Sequence, residues 1–312
     1  MTSLHEHFEN YMSECRYVKR LRPATMRTSL EAFKHFVKIM PEVGSMNDVS
    51  HSVITVFFKR LQTRERTIGQ GVKVVGIKDS TLLTYASRLK TFFKWLTDHK
   101  YIDRNPFENL KLPRPVFVDH RSLTGEEIRK IMGAVAQNAS NPFLLKRDMA
   151  MIGILTFCGL RRNELISLEV RDIDLFTGFI TIQPETSKSK RLRKVPINIH
   201  LKMHLLEYLE ERKKRGCKTP YLFVANGRDK RFEVPGLKHW VKRISRLSGV
   251  KFHVHRFRHT FATNLAMHDV GAIKIQKLMG HTDLKMTQTY LRSVSTEEMG
   301  EDINKLSYEN LA

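Results

Sequence analysis

The side chains best suited to chemistry gather late in the chain, in His255-Arg256-Phe257-Arg258-His259 and then in Gly280-His281 and Tyr290. On a helix, positions 255, 258 and 259 fall at i, i+3 and i+4, so His255, Arg258 and His259 share a face. Gly280 reads as the C′ stop of one helix and Thr282 as the N-cap of the next. His281 then sits in the turn between them, with Tyr290 further along. Such a set suits an anion that a tyrosine attacks, and a phosphodiester makes the requirements explicit. The phenol titrates near about 10 and needs cationic surroundings to attack as phenolate. Two guanidiniums hold the non-bridging oxygens of the transition state in forked geometry, which lysine cannot do. The leaving 5′ oxygen needs a proton, best from a lysine on a movable turn, and no step needs a metal. Arg161 and Arg258 supply the clamp, Lys188 or Lys190 the acid, and His255 and His281 proton-handling donors. Glu164, one turn after Arg161, orients a guanidinium.

The elements that must position these groups are mostly helical. Residues 1 to about 110 carry apolar stripes at helical spacing: Leu4, Phe8 and Cys15, then Phe33, Val37 and Met40 after the break at Arg22-Pro23. Ser50 caps a third helix with Ile54, Phe57 and Leu61, and Asp79 or Ser80 caps a fourth with Leu82, Leu89, Phe93 and Leu96. Between these two, Ile68-Gly69-Gln70-Gly71 to Gly76 reads as a surface loop. Leu112-Pro113-Arg114-Pro115 reads as an extended tether, so the expected layout is a domain over 1–111, a linker over 112–120 and a second domain over 121–312. In the second domain Thr124, Glu126 and Glu127 form a helix-start signature, another helix opens at Pro142, and Gly159-Leu160 halts it before Arg161. The period then changes. Phe179 to Ile182 and Leu192 to Ile197 read as strands joined by the polar turn Pro184 to Lys190, and Tyr221 to Val224 as a further strand. Helices return at Leu201 to Leu209, stopping at Gly216, and around Trp240, Ile244 and Leu247. The expected class is mainly α with a small β-hairpin or sheet, α+β.

These residues resemble those of the tyrosine recombinases, the phage integrase family, in its compact Xer-like or mobile-element type. Cys158-Gly159-Leu160-Arg161-Arg162-Asn163-Glu164-Leu165 is similar to the family's first box, and His255 through Thr263 to its second. Leu278-Met279-Gly280-His281 followed by Tyr290 resembles the third, and Lys188, eight residues before Pro196, falls where the family keeps its hairpin lysine. The departures are Cys158 for a common threonine and Phe257 for leucine, and neither removes a functional group. The resemblance spans nearly the whole chain. It implies a SAM-like core-binding helical bundle followed by a catalytic domain, with Arg161, Lys188, His255, Arg258, His281 and Tyr290 catalytic. It also implies strand exchange through a 3′-phosphotyrosyl bond between duplex recombination sites, with no cofactor, metal or ATP. The acting form would be a homotetramer on synapsed DNA, and the free protein a monomer or weak dimer. After Tyr290, Ser295 to Glu298 looks like a capping box, and Met299, Ile303 and Leu306 a stripe on a docking helix at about 296–307.

Charge agrees with a polyanion partner: 54 Lys and Arg against 32 Asp and Glu leave a net +22. Arg22, Arg27, Arg88, Lys90 and Lys94 on the outer helix faces, with Lys190 on the hairpin turn, are the expected DNA contacts. A membrane partner fits poorly, because the longest apolar run, Met149 to Cys158, is too short to span a bilayer. No secretory signal pattern opens the sequence, and the expected setting is the cytoplasm, with the nucleoid. Three widely separated cysteines offer no zinc spacing. His255 and His259 sit at a zinc-helix spacing, but Arg256 and Arg258 repel a cation there. Asp172 and Asp174 beside Arg171 are weak support for a metal nuclease. Two alternatives share parts of the pattern. One is a type IB topoisomerase or telomere-resolving enzyme, with the same chemistry. The other is a non-catalytic regulator, in which residues 261–267 and 272–279 form a helix-turn-helix.

Overall fold

The computed structural model describes residues 3–69, 71–110, 122–187, 189–227, 229–284 and 286–288, with the side chain of residue 47 excepted. The chain divides into two units, Met1–Phe117 and Val118–Ala312. The expected linker at 112–120, Lys188, Tyr290 and the tail helix at 296–307 lie outside the described residues.

In the first unit, α1 (Leu4–Tyr17) opens on a reciprocal Ser3–Glu6 capping box. α2 (Pro23–Ile39) starts with proline at its first position, where no amide partner is needed. α3 (His51–Thr63) is capped by Ser50, whose hydroxyl accepts from the Val53 amide. Aromatic rings fill the centre: Phe8 stacks on Phe33 at 3.8 Å and meets Phe92 edge-on at 5.1 Å. The stretch expected to be a loop is instead an antiparallel hairpin, β1 (Glu65–Ile68) with β2 (Val72–Val75), in register from Glu65↔Val75 to Ile68↔Val72. The β-branched residues Thr67, Ile68, Val72, Val74 and Val75 outweigh the glycines, which only supply the turn. Gly76 closes the hairpin at φ +70°, and a Cβ there would lie 2.5 Å from the Gln62 carbonyl oxygen. α4 (Asp79–Asp98) begins after Lys78, so Asp79 does not cap the helix but lies in its first turn, at the positive end of the helix dipole.

The second unit is built on α6 (Pro142–Cys158), buried on nearly every side. It is preceded by α5 (Gly125–Asn138), whose Thr124–Glu127 capping box forms as expected. Gly159 ends α6 in the left-handed conformation and touches the Phe261 ring so closely that a Cβ would sit 2.4 Å from it. After α7 (Arg162–Ser167), strands β3 (Ile173–Asp174), β4 (Phe179–Ile182) and β5 (Arg193–Pro196) form an antiparallel sheet in that order. β5 is shorter than expected at both ends, and Leu192 is exposed. α8 (Ile199–Lys214), α9 (Val234–Ser248), α10 (Val254–Met267) and α11 (Ala272–Met279) follow, α8 and α10 packing on α6. The strand expected at Tyr221 to Val224 does not form: it makes only the bridges Glu169↔Tyr221 and Val224↔Arg231. Leu222, Phe223 and Val224 are buried core residues, so their apolar run reflects packing between two different backbone neighbours. The fold is thus mainly helical with small antiparallel sheets, α+β.

Candidate catalytic site

Arg161 occupies the N-cap of α7 in an extended conformation. Three residues on, Glu164 turns back and accepts from the Arg161 amide at 2.9 Å and from Arg161 Nη1 at 2.9 Å. The carboxylate is also gripped by a second guanidinium. Arg193 of β5 donates Nη1 to Oε1 at 3.0 Å and Nη2 to Oε2 at 2.8 Å, while its Nε reaches the Leu278 carbonyl at 3.0 Å. Burial pushes the Glu164 carboxyl up, but the Arg193 hydrogen bonds and the Arg193 and Arg161 charges outweigh it, holding the group down at about 2. Arg161 alone of the three keeps appreciable solvent access, with 21% of its side chain exposed against 7% for Arg193 and none for Glu164.

Arg258 approaches the same place from α10. It is 1% exposed and donates Nη1 to the Gly159 carbonyl at 2.8 Å and Nη2 to the Met279 carbonyl at 2.6 Å. Those oxygens lie at the C-terminal ends of α6 and α11, the negative poles of two helices, where a buried cation is favoured. Arg161 Nη2 also reaches the Gly280 carbonyl at 3.2 Å. Gly280 has φ +61°, and a Cβ there would lie 3.0 Å from Arg193 Cδ, so the turn demands glycine for conformation and for space. Next to it His281 is buried, with Nδ1 3.0 Å from the Thr287 hydroxyl. Burial first, and then the charges of Arg258, Arg161, Arg193 and His255, depress its pKa to about 4. At neutral pH the ring is therefore uncharged. The Thr287 contact is compatible with either tautomer: a hydroxyl that donates to Nδ1 puts the ring proton on Nε2, and one that accepts puts it on Nδ1.

The sequence expectations fare unevenly at residue level. Arg161, Glu164, Arg258 and His281 come together. His255 and His259 have ring centroids 6.4 Å apart, but His255 is exposed whereas Arg258 and His259 turn inward, so the supposed common face is split between solvent and core. Thr282 is exposed, and the helical bonds that follow run from Met286 to Asp283 and from Thr287 to Leu284, so among the described residues the next turn opens later than a Thr282 cap would give. Lys190 is exposed on the hairpin turn at φ 52°. In the first unit Arg22, Arg27, Lys90 and Lys94 are exposed and Arg88 is half-buried. Lys94 pairs with Asp98 at 2.9 Å, and with Lys90 it edges a hollow of about 440 Å³ floored by Leu83 and Phe107. Asp172 and Asp174 serve turns: Asp172 accepts from the Glu169 amide and Gln183, Asp174 from Phe176 and Thr177. No cluster of three or more His, Cys, Asp or Glu that could hold a metal occurs among the described residues. Nor is any described helix long and apolar enough to cross a membrane. Sequence reasoning missed Arg193 and Thr287. Strand parity held the signal for Arg193: pairing with Ile182 and lying two residues before buried Val195, on the same face of the strand, it had to point inward and so needed a carboxylate.

Comparison with known proteins gives a consistent set of likenesses. The profile of the phage integrase family matches residues 121–297. A tyrosine recombinase of Pseudothermotoga lettingae is 29% identical over 307 residues, 96% of this chain and 98% of its own length. The tyrosine recombinase XerA of Pyrococcus furiosus is 30% identical over 226 residues, 72% of this chain and 73% of its own. Among solved structures, the Tn1549 transposon integrase in complex with transposon right end DNA shares the fold at TM-score 0.75 and 18% identity, over 96% of this chain and 99% of that one.

Proposed function

The chain belongs to the phage integrase family, the tyrosine recombinases, and on that premise we propose how its own residues cut and rejoin DNA. It is a site-specific recombinase. The observation that carries the reading is the meeting of Arg161, Arg258 and His281 around the ends of α6 and α11, from segments far apart in sequence.

In this account the Tyr290 hydroxyl gives up its proton to water and attacks the scissile phosphorus as phenolate. A 3′-phosphotyrosyl bond forms, the bond to the 5′ oxygen breaks, and that oxygen takes a proton from Lys188. The 5′ hydroxyl of a partner strand then attacks the phosphotyrosine and the phenol leaves, so the bond energy is conserved and no nucleotide cofactor enters. Arg161 and Arg258 bind the non-bridging oxygens as their charge grows. Glu164 fixes the plane of the Arg161 guanidinium. His281, neutral and carrying its proton on Nε2, donates to the phosphate, and His255 assists from the exposed turn of α10. Arg22, Arg27, Arg88, Lys90, Lys94 and Lys190 contact the DNA backbone. The acting form is a homotetramer holding two duplex sites in the cytoplasm at the nucleoid, with the segment after Tyr290 docked on a neighbouring copy. The test is incubation with nicked suicide duplexes tiled over the native locus. A covalent protein–DNA adduct at one discrete sequence is expected, and its absence on every duplex contradicts the reading.

A further inference from the structure

Glu164 poses an electrostatic problem for the site it supports. It is a full negative charge beside the guanidinium that must meet a phosphate, and with 0% of its side chain exposed, water cannot screen it. An Arg161–Glu164 pair taken alone has no net charge to offer. Arg193 changes the count. It grips both carboxylate oxygens in a fork, at 3.0 and 2.8 Å, whereas the Arg161 side chain reaches one of them through Nη1 alone. Two guanidiniums and one carboxylate leave a net +1. The distribution is directional, because Arg193 is enclosed behind the carboxylate and Arg161 faces solvent. Arg193 is pinned further by the Leu278 carbonyl at 3.0 Å, on the segment leading into His281.

We propose that Arg193 is a positioning residue that cancels the charge of Glu164, so that the charge of Arg161 stays available to the scissile phosphate. With Glu164 satisfied by Arg193, Arg161 can also shift toward a phosphate oxygen without stranding a buried carboxylate. The inference rests on the recombinase reading and assigns a task to a residue outside the three boxes and the hairpin lysine.

The test is single-turnover adduct formation on a suicide duplex, with wild type, Arg193→Gln, Arg193→Lys, Glu164→Gln and the double variant. Arg193→Gln is expected to slow cleavage by about 10- to 100-fold, the usual loss when the support of a site residue is removed, and Arg193→Lys to recover part of it. Removing the carboxylate as well should help, so the double variant is expected to cleave about tenfold faster than Arg193→Gln. A neutral methylphosphonate at the scissile position should shrink the Arg193→Gln deficit, because less positive charge is then needed. A merely structural arginine would give neither effect. If Arg193→Gln fails to fold, the comparison of Glu164→Gln with the double variant decides: similar rates are expected, and a further tenfold loss on removing Arg193 overturns the proposal. An undiminished deficit on methylphosphonate also overturns it. Failure of wild type to form any adduct would indict the recombinase reading instead.

Discussion

At the residue scale, the site gathers two guanidiniums on the Glu164 carboxylate and a third on helix-end carbonyls. Arg258 lies against helix-end carbonyls, Arg161 is oriented by a carboxylate that Arg193 already occupies, and His281 stays neutral because it is buried and, beyond that, because three guanidiniums stand near it. In the proposed mechanism the proton for the leaving oxygen comes from Lys188. Lys188→Ala is expected to slow cleavage of an ordinary duplex by about 10²- to 10⁴-fold. A 5′-bridging phosphorothiolate, whose sulfur leaves without a proton, should restore most of the rate. Rescue of Lys190→Ala in place of Lys188→Ala would move the acid by two residues. The depressed groups also set an acid limit. The folded His281 pKa, about 4, lies below the ordinary 6.5, so between those values the unfolded chain binds a proton that the folded one refuses. Stability is therefore complete above about pH 6.5 and falls as pH drops toward 4, by at most about 3 kcal/mol from this ring. Glu164, held at about 2 against an ordinary 4.5, adds a second loss below pH 4.5. Urea melts between pH 7 and pH 4 should show the first decline, and His281→Phe should flatten it.

At the element scale, the two helix ends at Gly159 and Gly280 do the positioning. Gly159→Ala would drive a Cβ to 2.4 Å from the Phe261 ring and strain a left-handed backbone. We expect it to destabilise the second unit by about 2 kcal/mol and to slow cleavage more than a surface glycine control such as Gly216→Ala. Thermal unfolding alongside adduct formation checks both. The elements were legible in the sequence where their signals are local. Ser50, Thr124 and Pro142 announce helix starts by chemistry that acts within one turn, and Gly159 and Gly280 announce stops. Arg161, Glu164, Arg258 and His281 were legible because their motifs are short and ordered. What stayed hidden depends on distant partners. The hairpin at residues 65–75 was masked by its turn glycines, and the apolar run at 221–224 imitates a strand because it is buried. The Arg193–Glu164 fork joins residues 29 positions apart through a strand register that no local pattern reveals.

At the scale of the whole molecule, a net charge of +22 serves the encounter with DNA, and the proposed exchange of strands calls on several copies. The family resemblance assigns the coupling of those copies to the segment after Tyr290. Deleting residues 295–312 is expected to spare binding to a single site but abolish synapsis and alter cleavage. Mobility-shift analysis separates single-site complexes from synapses. Undiminished recombination by the truncated chain would contradict the proposed exchange of tails.

The central claim is that Tyr290 is the residue joined to DNA. Digestion of a trapped suicide-duplex adduct, followed by peptide mass spectrometry, reads that residue directly. The account predicts a 3′-phosphoryl nucleotide on the peptide containing Tyr290, and for Tyr290→Phe normal DNA binding with no adduct. An adduct that survives the substitution, or maps to any other side chain, would contradict it.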